Sequence, residues 1–478
     1  MKLLAIIVVL FLGFLLTTKG IPFAFVRVGR LLGFRMTLRP LARKRIERFK
    51  RIRRGYVAFV LLLTLFVSSF FLEVLVNHKP IYIRFGDTVA YPALRDLGNH
   101  LLPKWDPFVD FIKSSDFGLP GEQQLDYRKF DLCLADPDAE FSTLITAKQD
   151  QRRRVEADLA DVRLEVAEIR EDGDEPEEWM VDELKEADAI LAKLDAEVAE
   201  LQATQSIFAE GGASIVWPIY EHSASKSRLA DLEGEAPFPP SLWRPDGRDR
   251  WDVPLGTDPA GIDILPIILY GFRTSVSFAL MVLILGYSIG VLVGAMMGYY
   301  GGWVDILTQR GIEIWSSIPF LFTIMIISAI LKPDFWVLVG LLTVLSAWLG
   351  ITYLIRGEFY REKARDYVHA AVGTGVSDWK VIVKHILPNS LVPVIATAPF
   401  AFVGFINALV ALDFLNFGLP VGTPSWGALL RVGKEFLTLH PHMTIIPVVA
   451  LAGTLFMVTL IGEAVREAFD PKVFSRLR

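Results

Sequence analysis

The chain has 478 residues, of which 52% are hydrophobic and 22% are charged. Because that charged share is typical of a water-soluble protein, the apolar and charged residues must be separated along the chain. The net charge of −5 combines an acidic segment, residues 150–202 with 19 acidic and seven basic residues, with a basic remainder. The single cysteine, Cys133, excludes an intramolecular disulfide and any zinc site built on a CxxC pair.

Six uncharged apolar runs are long enough to cross a bilayer, which takes about 20 helical residues. They span residues 55–72, 274–300, 314–331, 335–355, 391–412 and 443–462. A seventh run, residues 3–18, resembles the apolar part of a signal peptide, but no small-residue cleavage site follows it. We therefore predict an extra membrane helix within residues 1–22.

Basic residues predict the orientation of these helices. Residues 27–54 hold twelve basic residues and one acidic residue, which indicates that the segment 23–54 is cytoplasmic. The first core helix, residues 55–76, then runs outward and residues 77–263 are extracytoplasmic. Five further helices occupy residues 264–465, with residues 301–313 and 357–390 on the cytoplasmic side, and residues 466–478 form a cytoplasmic tail.

Part of the predicted outer region has heptad spacing. Apolar residues recur three and four positions apart between Val155 and Ile169 and again between Leu184 and Leu201. Gly173 and Pro176 interrupt the pattern, so residues 143–205 predict an antiparallel helical hairpin. Its acidic faces favour a solvated surface over a docking surface. The rest of the region has no clear periodicity, and no fold is predicted for it.

Small residues and uncharged interiors mark the later apolar segments. Gly286, Gly290, Gly294 and Gly298 are spaced by four, which predicts close approach of a second helix along one face. The last five apolar runs carry no ionisable residue in their middles, which disfavours a proton-coupled transporter or an ion channel.

The sequence offers few groups for chemistry. No GxxxxGK[ST] phosphate-binding loop occurs, so energy from ATP must come from a partner. His440 and His442 lack a third ligand nearby, which favours interfacial histidines over a metal site. Asp258 and Asp263 precede an apolar run and favour helix capping over a polar gate. We predict no catalytic residue, no cofactor and no metal site.

One predicted cytoplasmic stretch, YVHAAVGTGVSDWKVIVKHILPN at residues 367–389, differs from its apolar surroundings. Residues 367–372 predict a short helix, and Gly373 and Gly375 predict a turn. Ser377 is placed to cap a second helix, whose apolar face consists of Trp379, Ile382, Val383 and Ile386, and Pro388 is expected to end that helix. A partner-binding loop and a helix lying in the lipid interface fit this pattern equally well.

The stretch resembles the cytoplasmic coupling loop of ABC importer permeases, whose signature is Glu-Ala-Ala, three residues, Gly, nine residues, then Ile-x-Leu-Pro. The matching residues are Ala370, Ala371, Gly375, Leu387 and Pro388. His369 and His385 stand where the family usually has Glu and Ile. The resemblance implies contact with an ATPase, with candidate coupling residues Tyr367, His369, Ala370, Ala371, Gly373, Gly375, Leu387 and Pro388.

More of the chain is similar to the same branch of permeases. Segments 255–280, 298–305, 317–322, 412–430 and 462–471 resemble, in order, the C-type subunit of dipeptide and oligopeptide importers. Segments 80–92, 115–120 and 213–219 resemble the E subunit of Yej-type permeases, which are associated with peptide and microcin C uptake. Residues 1 to 45 and the hairpin do not match and look like additions.

The resemblance implies an all-α, multi-pass membrane bundle of the type I ABC importer permease kind, with six core helices, an extra N-terminal helix and a large extracytoplasmic insertion. It implies a non-enzymatic subunit in the bacterial inner (plasma) membrane that imports peptides or peptide-like compounds. The implied partners are a second homologous permease, two ABC ATPase subunits, an extracytoplasmic substrate-binding protein and membrane lipid, without nucleic acid. It does not identify the substrate-contacting residues.

Two alternatives stay open at this point. The same architecture serves importers of nickel or other small solutes. A membrane scaffold that binds a partner through the acidic hairpin would keep the helix bundle and need no ATPase.

Overall fold

The structure, a computed structural model, describes residues 13–15, 40–101, 112–119, 123–171, 176–232, 234–242, 252–331 and 333–469. The chain forms two compact units. We call Glu73–Glu221 the inserted unit, and Met1–Leu72 together with His222–Arg478 the membrane unit. The predicted N-terminal helix at 1–22 lies outside the described residues except for 13–15, and most of the predicted tail at 466–478 also lies outside them.

The described N-terminal part is helical and sharply bent. It comprises α1 (Pro40–Arg51), α2 (Arg53–Ser69) and the short α3 (Leu72–Leu75). Between α1 and α2, Ile52 has φ −80° and ψ 84°, which is not helical, and the two helices meet at 96°. The apolar α2 covers most of the first predicted core span, whereas the basic α1 points away from the axis of α2.

The inserted unit combines helices with a small sheet. Its elements are β1 (Tyr82–Phe85), β2 (Thr88–Ala90), α4 (Pro92–Leu101), a 3₁₀ turn (Ser115–Phe117), α5 (Tyr127–Ala135), α6 (Pro137–Glu171), α7 (Glu178–Ala209) and β3 (Ala213–Val216). The strands form an antiparallel sheet in the order β2-β1-β3, in which Ile83 pairs with both Ala90 and Ile215. The all-α prediction was therefore wrong for this unit. Strands of three or four residues are too short for a period-two signal, and β3 is far from β1 in sequence.

Aromatic side chains form the core of the inserted unit. Phe130, Phe141 and Phe208 are buried together with Ile83 and Cys133. The ring centroid of Phe208 lies 4.9 Å from that of Phe130 and 5.5 Å from that of Phe141. This cluster joins β1, α5, α6 and α7 into one apolar core.

Helices α6 and α7 run antiparallel, as their ion pairs show. The pairs that join them are Lys148–Glu197, Arg152–Asp195 and Arg163–Asp188, so the residue number falls on α7 as it rises on α6. Leu159, Ala187 and Leu191 are buried between the helices. The helices extend beyond the predicted limits of 143–205, and their extracytoplasmic location stays a prediction.

The membrane unit continues with ten helices among the described residues after 252. They are α8 (Ile264–Tyr300), α9 (Gly302–Ser316), α10 (Phe320–Leu331), α11 (Phe335–Leu342), α12 (Leu349–Lys363), α13 (Asp366–Gly373), α14 (Asp378–Lys380), α15 (Leu387–Phe414), α16 (Trp426–Gly433) and α17 (His442–Phe469), where the three-residue α14 is the first turn of the helix that continues into α15. Thr343–Ala347 and Val381–Ile386 are π-helical.

Up to six segments of the described chain are long and apolar enough to cross a membrane. In the described part of the chain, three are single helices, Ile264–Tyr300, Asp378–Phe414 and His442–Phe469. Three are bent pairs: α1 with α2, α9 with α10 at 65°, and α11 with α12 at 46°. When each pair counts as one crossing, the number agrees with the six predicted core spans.

The predicted loop at 301–313 is helical in the structure, because α9 occupies it. Asp305, Arg310 and Glu313 place charges in this segment, so a search for uncharged runs passes over it. The helix tolerates Asp305 because that carboxylate is paired, as described below.

The glycine spacing in α8 produces the predicted close approach. A Cβ atom added at Gly286 would lie 2.6 Å from Cβ of Ala347, and one at Gly298 would lie 2.5 Å from Cβ of Phe359. At Gly290 and Gly294, an added Cβ would overlap atoms of α12. The glycine face of α8 therefore packs directly against the π turn and α12.

A side-chain cap fixes the start of α8. Oδ1 of the fully buried Asp263 accepts a hydrogen bond from the amide of Leu265 at 3.1 Å, as predicted for a cap. Asp258 instead accepts from the amide of Ile262 at 2.8 Å within the preceding turn.

Candidate functional site: the 366–389 segment

Helix α13 forms the first half of the segment that resembles a coupling loop. It ends at a turn in which the amide of Gly375 donates to the carbonyl of Val372 at 2.9 Å and the amide of Val376 donates to that of Ala371 at 3.2 Å. Gly375 has φ +77°, in the left-handed region that glycine adopts without strain. The glycine at 375 is thus required by the backbone of the turn.

The second half is continuous with the following membrane helix. Ser377 occupies the position before α14, but its side chain makes no capping hydrogen bond. The π turn of residues 381–386 leads directly into α15, in which Pro388 lies in the first turn. The prediction that Pro388 ends the helix was wrong, because the helix continues from Asp378 to Phe414 and only changes from π-helical to α-helical hydrogen bonding just before the proline.

Apolar side chains anchor the segment to the helix bundle. Val368 and Ala371 of α13 and Ile382 and Ile386 of the π turn are buried in one cluster. The cluster also contains residues of α8 and α12, namely Ala295, Tyr299, Ile351, Ile355 and Phe359. The segment therefore packs against the same two helices that meet through the glycine face.

Polar contacts tie the segment to the same helices. The hydroxyl of Tyr299 in α8 donates to Oδ1 of Asp378 at 2.6 Å, and Nζ of Lys363 in α12 donates to the carbonyl of Tyr299 at 2.5 Å. The hydroxyl of Tyr367 donates to Oε2 of Glu362 at 2.7 Å and accepts from Nδ2 of Asn389 at 3.0 Å. Burial and the hydrogen bond to Glu362 raise the pKa of Tyr367, so this hydroxyl stays protonated and available as a donor.

The exposed face of the segment differs from the predicted one. His369, Ala370, Gly373 and Gly375 are exposed, whereas the side chain of Ala371 is only 8% exposed and belongs to the core. The predicted site residues Leu387 and Pro388 are half-buried, and Tyr367 is at the margin with 37% exposure. The structure thus divides the signature residues into an outward-facing set and a structural set.

Three apolar side chains also lie on the exposed face. Trp379 is 65% exposed, Val372 51% and Val383 40%. The predicted apolar face of the second helix is therefore split, since Ile382 and Ile386 point into the core while Trp379 and Val383 do not. A π turn changes the angular offset between neighbouring side chains, which the 3.6-residue pattern did not anticipate.

Sequence reasoning missed a buried ion pair beside this segment. Nε and one terminal nitrogen of Arg356 in α12 donate to the two carboxylate oxygens of Asp305 in α9, both at 2.6 Å. The hydroxyl of Tyr360 donates to the same carboxylate at 2.7 Å. The pair fixes α9 against α12, and the charges within otherwise apolar surroundings were the signal that could have revealed it.

The comparisons with known proteins agree with this geometry. Residues 290–475 match the family described as binding-protein-dependent transport system inner membrane component. The inner membrane ABC transporter permease protein YejE of Escherichia coli K12 is 33% identical over 434 residues, which cover 91% of this chain and 98% of that protein. The chain belongs to this family of ABC transporter permeases.

Further relatives have the same character. The peptidoglycan transport system permease protein YejE of Agrobacterium fabrum C58 is 31% identical over 451 residues, covering 91% of this chain and 93% of the relative. The oligopeptide transport system permease protein OppC of Haemophilus influenzae Rd is 35% identical over 218 residues, 46% of this chain and 70% of the relative. The permease is a multi-pass transport subunit of the bacterial inner membrane.

Proposed function

We propose that the permease forms part of an ATP-driven importer for peptides or peptide-like compounds, which an extracytoplasmic binding protein delivers. The full-length similarity to E. coli YejE carries the assignment to an ABC importer. The names of the relatives support the substrate class, since they refer to oligopeptide, dipeptide and peptidoglycan transport. Peptidoglycan fragments contain short peptides, so the three names share one chemical class.

We propose that the outward-facing set of the 366–389 segment binds an ATPase subunit. The exposed surface has small residues at Ala370, Gly373 and Gly375, so a partner can approach the backbone closely. It also has apolar side chains, Val372 and Trp379, that a partner can cover. The inward-facing residues of the same segment pack on α8 and α12, so closure of two ATPases would tilt these helices. Tyr367 and Ala371, with Leu387 and Pro388, then maintain the shape of the segment.

The remaining parts of the assembly are proposed on the same basis. A second, homologous permease would complete a shared pathway, and ATP would be hydrolysed only on the two ATPases. We also propose the predicted membrane topology. A membrane helix at 1–22 is followed by the cytoplasmic segment 23–54, the first core helix at 55–76 and the extracytoplasmic region 77–263, which includes the hairpin. The permease core at 264–465 contains the coupling loop at 357–390, and residues 466–478 are cytoplasmic.

The proposed ATPase contact is tested by exposed apolar substitutions. Val372→Asp should reduce co-purification of the ATPases and abolish uptake, because it places a charge in the proposed interface. Leu164→Asp on α6 is the matched control, since Leu164 is 63% exposed and lies in the inserted unit. Its ATPase content and uptake should equal those of the unchanged protein.

A comparison of Ala371 with Ala370 tests the division of the 366–389 segment into a structural set and an outward-facing set. Ala371→Leu overpacks the cluster behind α13 and should lower thermal stability, whereas Ala370→Leu should preserve stability and weaken ATPase binding. Full ATPase binding and full uptake in both Ala370→Leu and Val372→Asp would refute the assignment of the outward-facing set.

The substrate class is tested by competition. Uptake of a labelled tripeptide into vesicles that contain the whole importer should be inhibited by unlabelled peptides and by peptide-containing peptidoglycan fragments, but not by Ni²⁺. Inhibition by Ni²⁺ alone would favour the nickel importer. Stable purification without any ATPase, combined with a partner lost on deletion of residues 143–205, would favour the membrane scaffold.

A further inference from the structure

A cavity of about 670 Å³ lies beside the proposed coupling segment. Four arginines from different parts of the chain line it. They are Arg45 of α1, Arg361 of α12, Arg365 directly before α13, and Arg466 of α17. Glu362 is the acidic residue in its lining. The concentration of guanidinium groups indicates a ligand with negative charge, because guanidinium groups bind phosphate and carboxylate oxygens in a bidentate manner.

The acidic groups nearby neutralise only part of this charge. Glu362 bonds Nε of Arg365 at 3.1 Å and the hydroxyl of Tyr367 at 2.7 Å, and Arg361 is paired with Glu358. Within the described ranges, neither Arg45 nor Arg466 has a carboxylate within ion-pair distance. Nε of Arg45 is also buried without a hydrogen-bond partner, while its guanidinium lies 5.2 Å from the ring centroid of Phe469.

The surroundings of the cavity favour a lipid as the source of the negative charge. Helix α1 carries six basic residues and one acidic residue, and it meets the apolar helix α2 at 96°. A crossing of the membrane by α2 therefore places α1 nearly parallel to the membrane plane. Val392, Pro393 and Ala396 of α15 form an apolar wall that leads from the arginines along a membrane helix. A basic recess with an apolar wall suits a headgroup and its acyl chains.

We propose that this cavity binds the phosphate of an anionic phospholipid headgroup at the cytoplasmic surface of the membrane. Tyr367 and Asn389 also line the cavity, and their mutual hydrogen bond joins the start of α13 to the start of α15. The bound lipid therefore stabilises the position of the proposed coupling segment. The fraction of anionic lipid in the membrane then affects how much substrate is transported for each ATP hydrolysed.

The test compares two variants that remove equal charge. Arg45→Gln combined with Arg466→Gln removes the two cavity arginines that have no carboxylate partner among the described residues. Arg43→Gln combined with Lys50→Gln removes two charges from exposed positions on α1. The purified complex in nanodiscs is titrated with phosphatidylglycerol in a phosphatidylcholine background, and bound lipid is counted by native mass spectrometry. We expect the cavity variant to bind phosphatidylglycerol about tenfold more weakly and the control to bind it normally.

Further arms identify the ligand. Inorganic phosphate should not displace the lipid at millimolar concentration; displacement would assign the cavity to a free anion and overturn the lipid proposal. Asp470 directly follows Phe469 in the sequence, so Asp470→Asn is included. Unchanged lipid binding in that variant supports the proposal, whereas a large gain in affinity shows that this carboxylate is the natural occupant and contradicts it.

The binding measurement is independent of the proposed function. An unchanged complex that binds phosphatidylglycerol but takes up no peptide would count against the peptide importer and leave the lipid site intact. Equal lipid binding by the cavity variant and its control would overturn the lipid site while the importer assignment stays intact. Restored binding in Arg45→Lys with Arg466→Lys is expected to be partial, since lysine offers charge without the bidentate geometry.

Discussion

In the inserted unit, large aromatic side chains meet around Phe208, whereas in the membrane unit α8 meets α12 through a row of glycines. The inserted unit surrounds its core with charged helices, so burial of aromatic area from water supplies its stability. In lipid, an apolar side chain gains little by leaving its surroundings, so helices associate where their backbones approach closely. The same chain thus uses large residues in one unit and small ones in the other.

The sharpest test of this contrast is an enlarged glycine in α8. Gly290→Leu should leave no folded permease, because even an added Cβ overlaps Ile351 and backbone atoms of Trp348 block relief. The amount of folded protein is measured by fluorescence-detected gel filtration after solubilisation in detergent. Gly404→Leu in α15 is the control, since nothing lies within 4 Å of an added Cβ there. Equal recovery of both variants would refute glycine-mediated packing.

A cavity in the aromatic core should have the next largest effect. Phe130→Ala removes a fully buried ring and should destabilise the inserted unit by about 3–5 kcal/mol. Cys133 is a built-in reporter, since it is buried in the same core and burial raises the pKa of its thiol to about 11. A raised pKa leaves little thiolate at neutral pH, so maleimide labelling requires the unit to open.

The control for that experiment lies on the same helix. Leu132 is 57% exposed, and Leu132→Ala should leave the labelling rate of Cys133 unchanged. Labelling that is as fast in the unchanged protein as in Phe130→Ala would mean that the thiol is accessible without opening of the core.

The buried ion pair of the membrane unit should rank third. Asp305→Asn weakens the two hydrogen bonds from Arg356 and the one from Tyr360. It should therefore lower the free energy of unfolding by about 2 kcal/mol. Glu313→Gln on the same helix removes an exposed contact with Arg310 and should cost less than about 1 kcal/mol. Thermal unfolding in detergent compares them, and equal melting temperatures would contradict a structural role for Asp305.

The smallest effect is expected at the surface of the hairpin. The ion pair with Lys148 lowers the pKa of Glu197, so this pair stabilises the folded state above the ordinary glutamate pKa and the contribution is lost as the pH falls below 4.5. Glu197→Gln should increase hydrogen exchange in α6 and α7 slightly at pH 7, and the difference from the unchanged protein should shrink as the pH falls below 4.5. Asp182→Asn, at an exposed pair within α7, should change exchange at neither pH.

The sequence predicted the parts of the fold that depend on local pattern. The apolar runs, the helical pair at 143–205 and the glycine face of α8 all follow from spacing along one helix, and each is present in the structure. The three-stranded sheet was missed because β3 pairs with a strand far away in the sequence. Helix α9 was missed because charged residues interrupt its apolar pattern, and the pairing of Asp305 with Arg356 arises only on folding.

For the candidate site, the sequence determined where the segment lies, and the fold decided which residues face outward. Gly375 was predictable from the turn it must form, but the burial of Ala371 beside the exposed Ala370 depends on the angle at which α13 meets α8 and α12. The basic cavity joins residues of five helices, α1, α12, α13, α15 and α17, which no local pattern connects. Periodicity reports which face of a helix is apolar, whereas contacts between distant segments arise only from the packed tertiary structure.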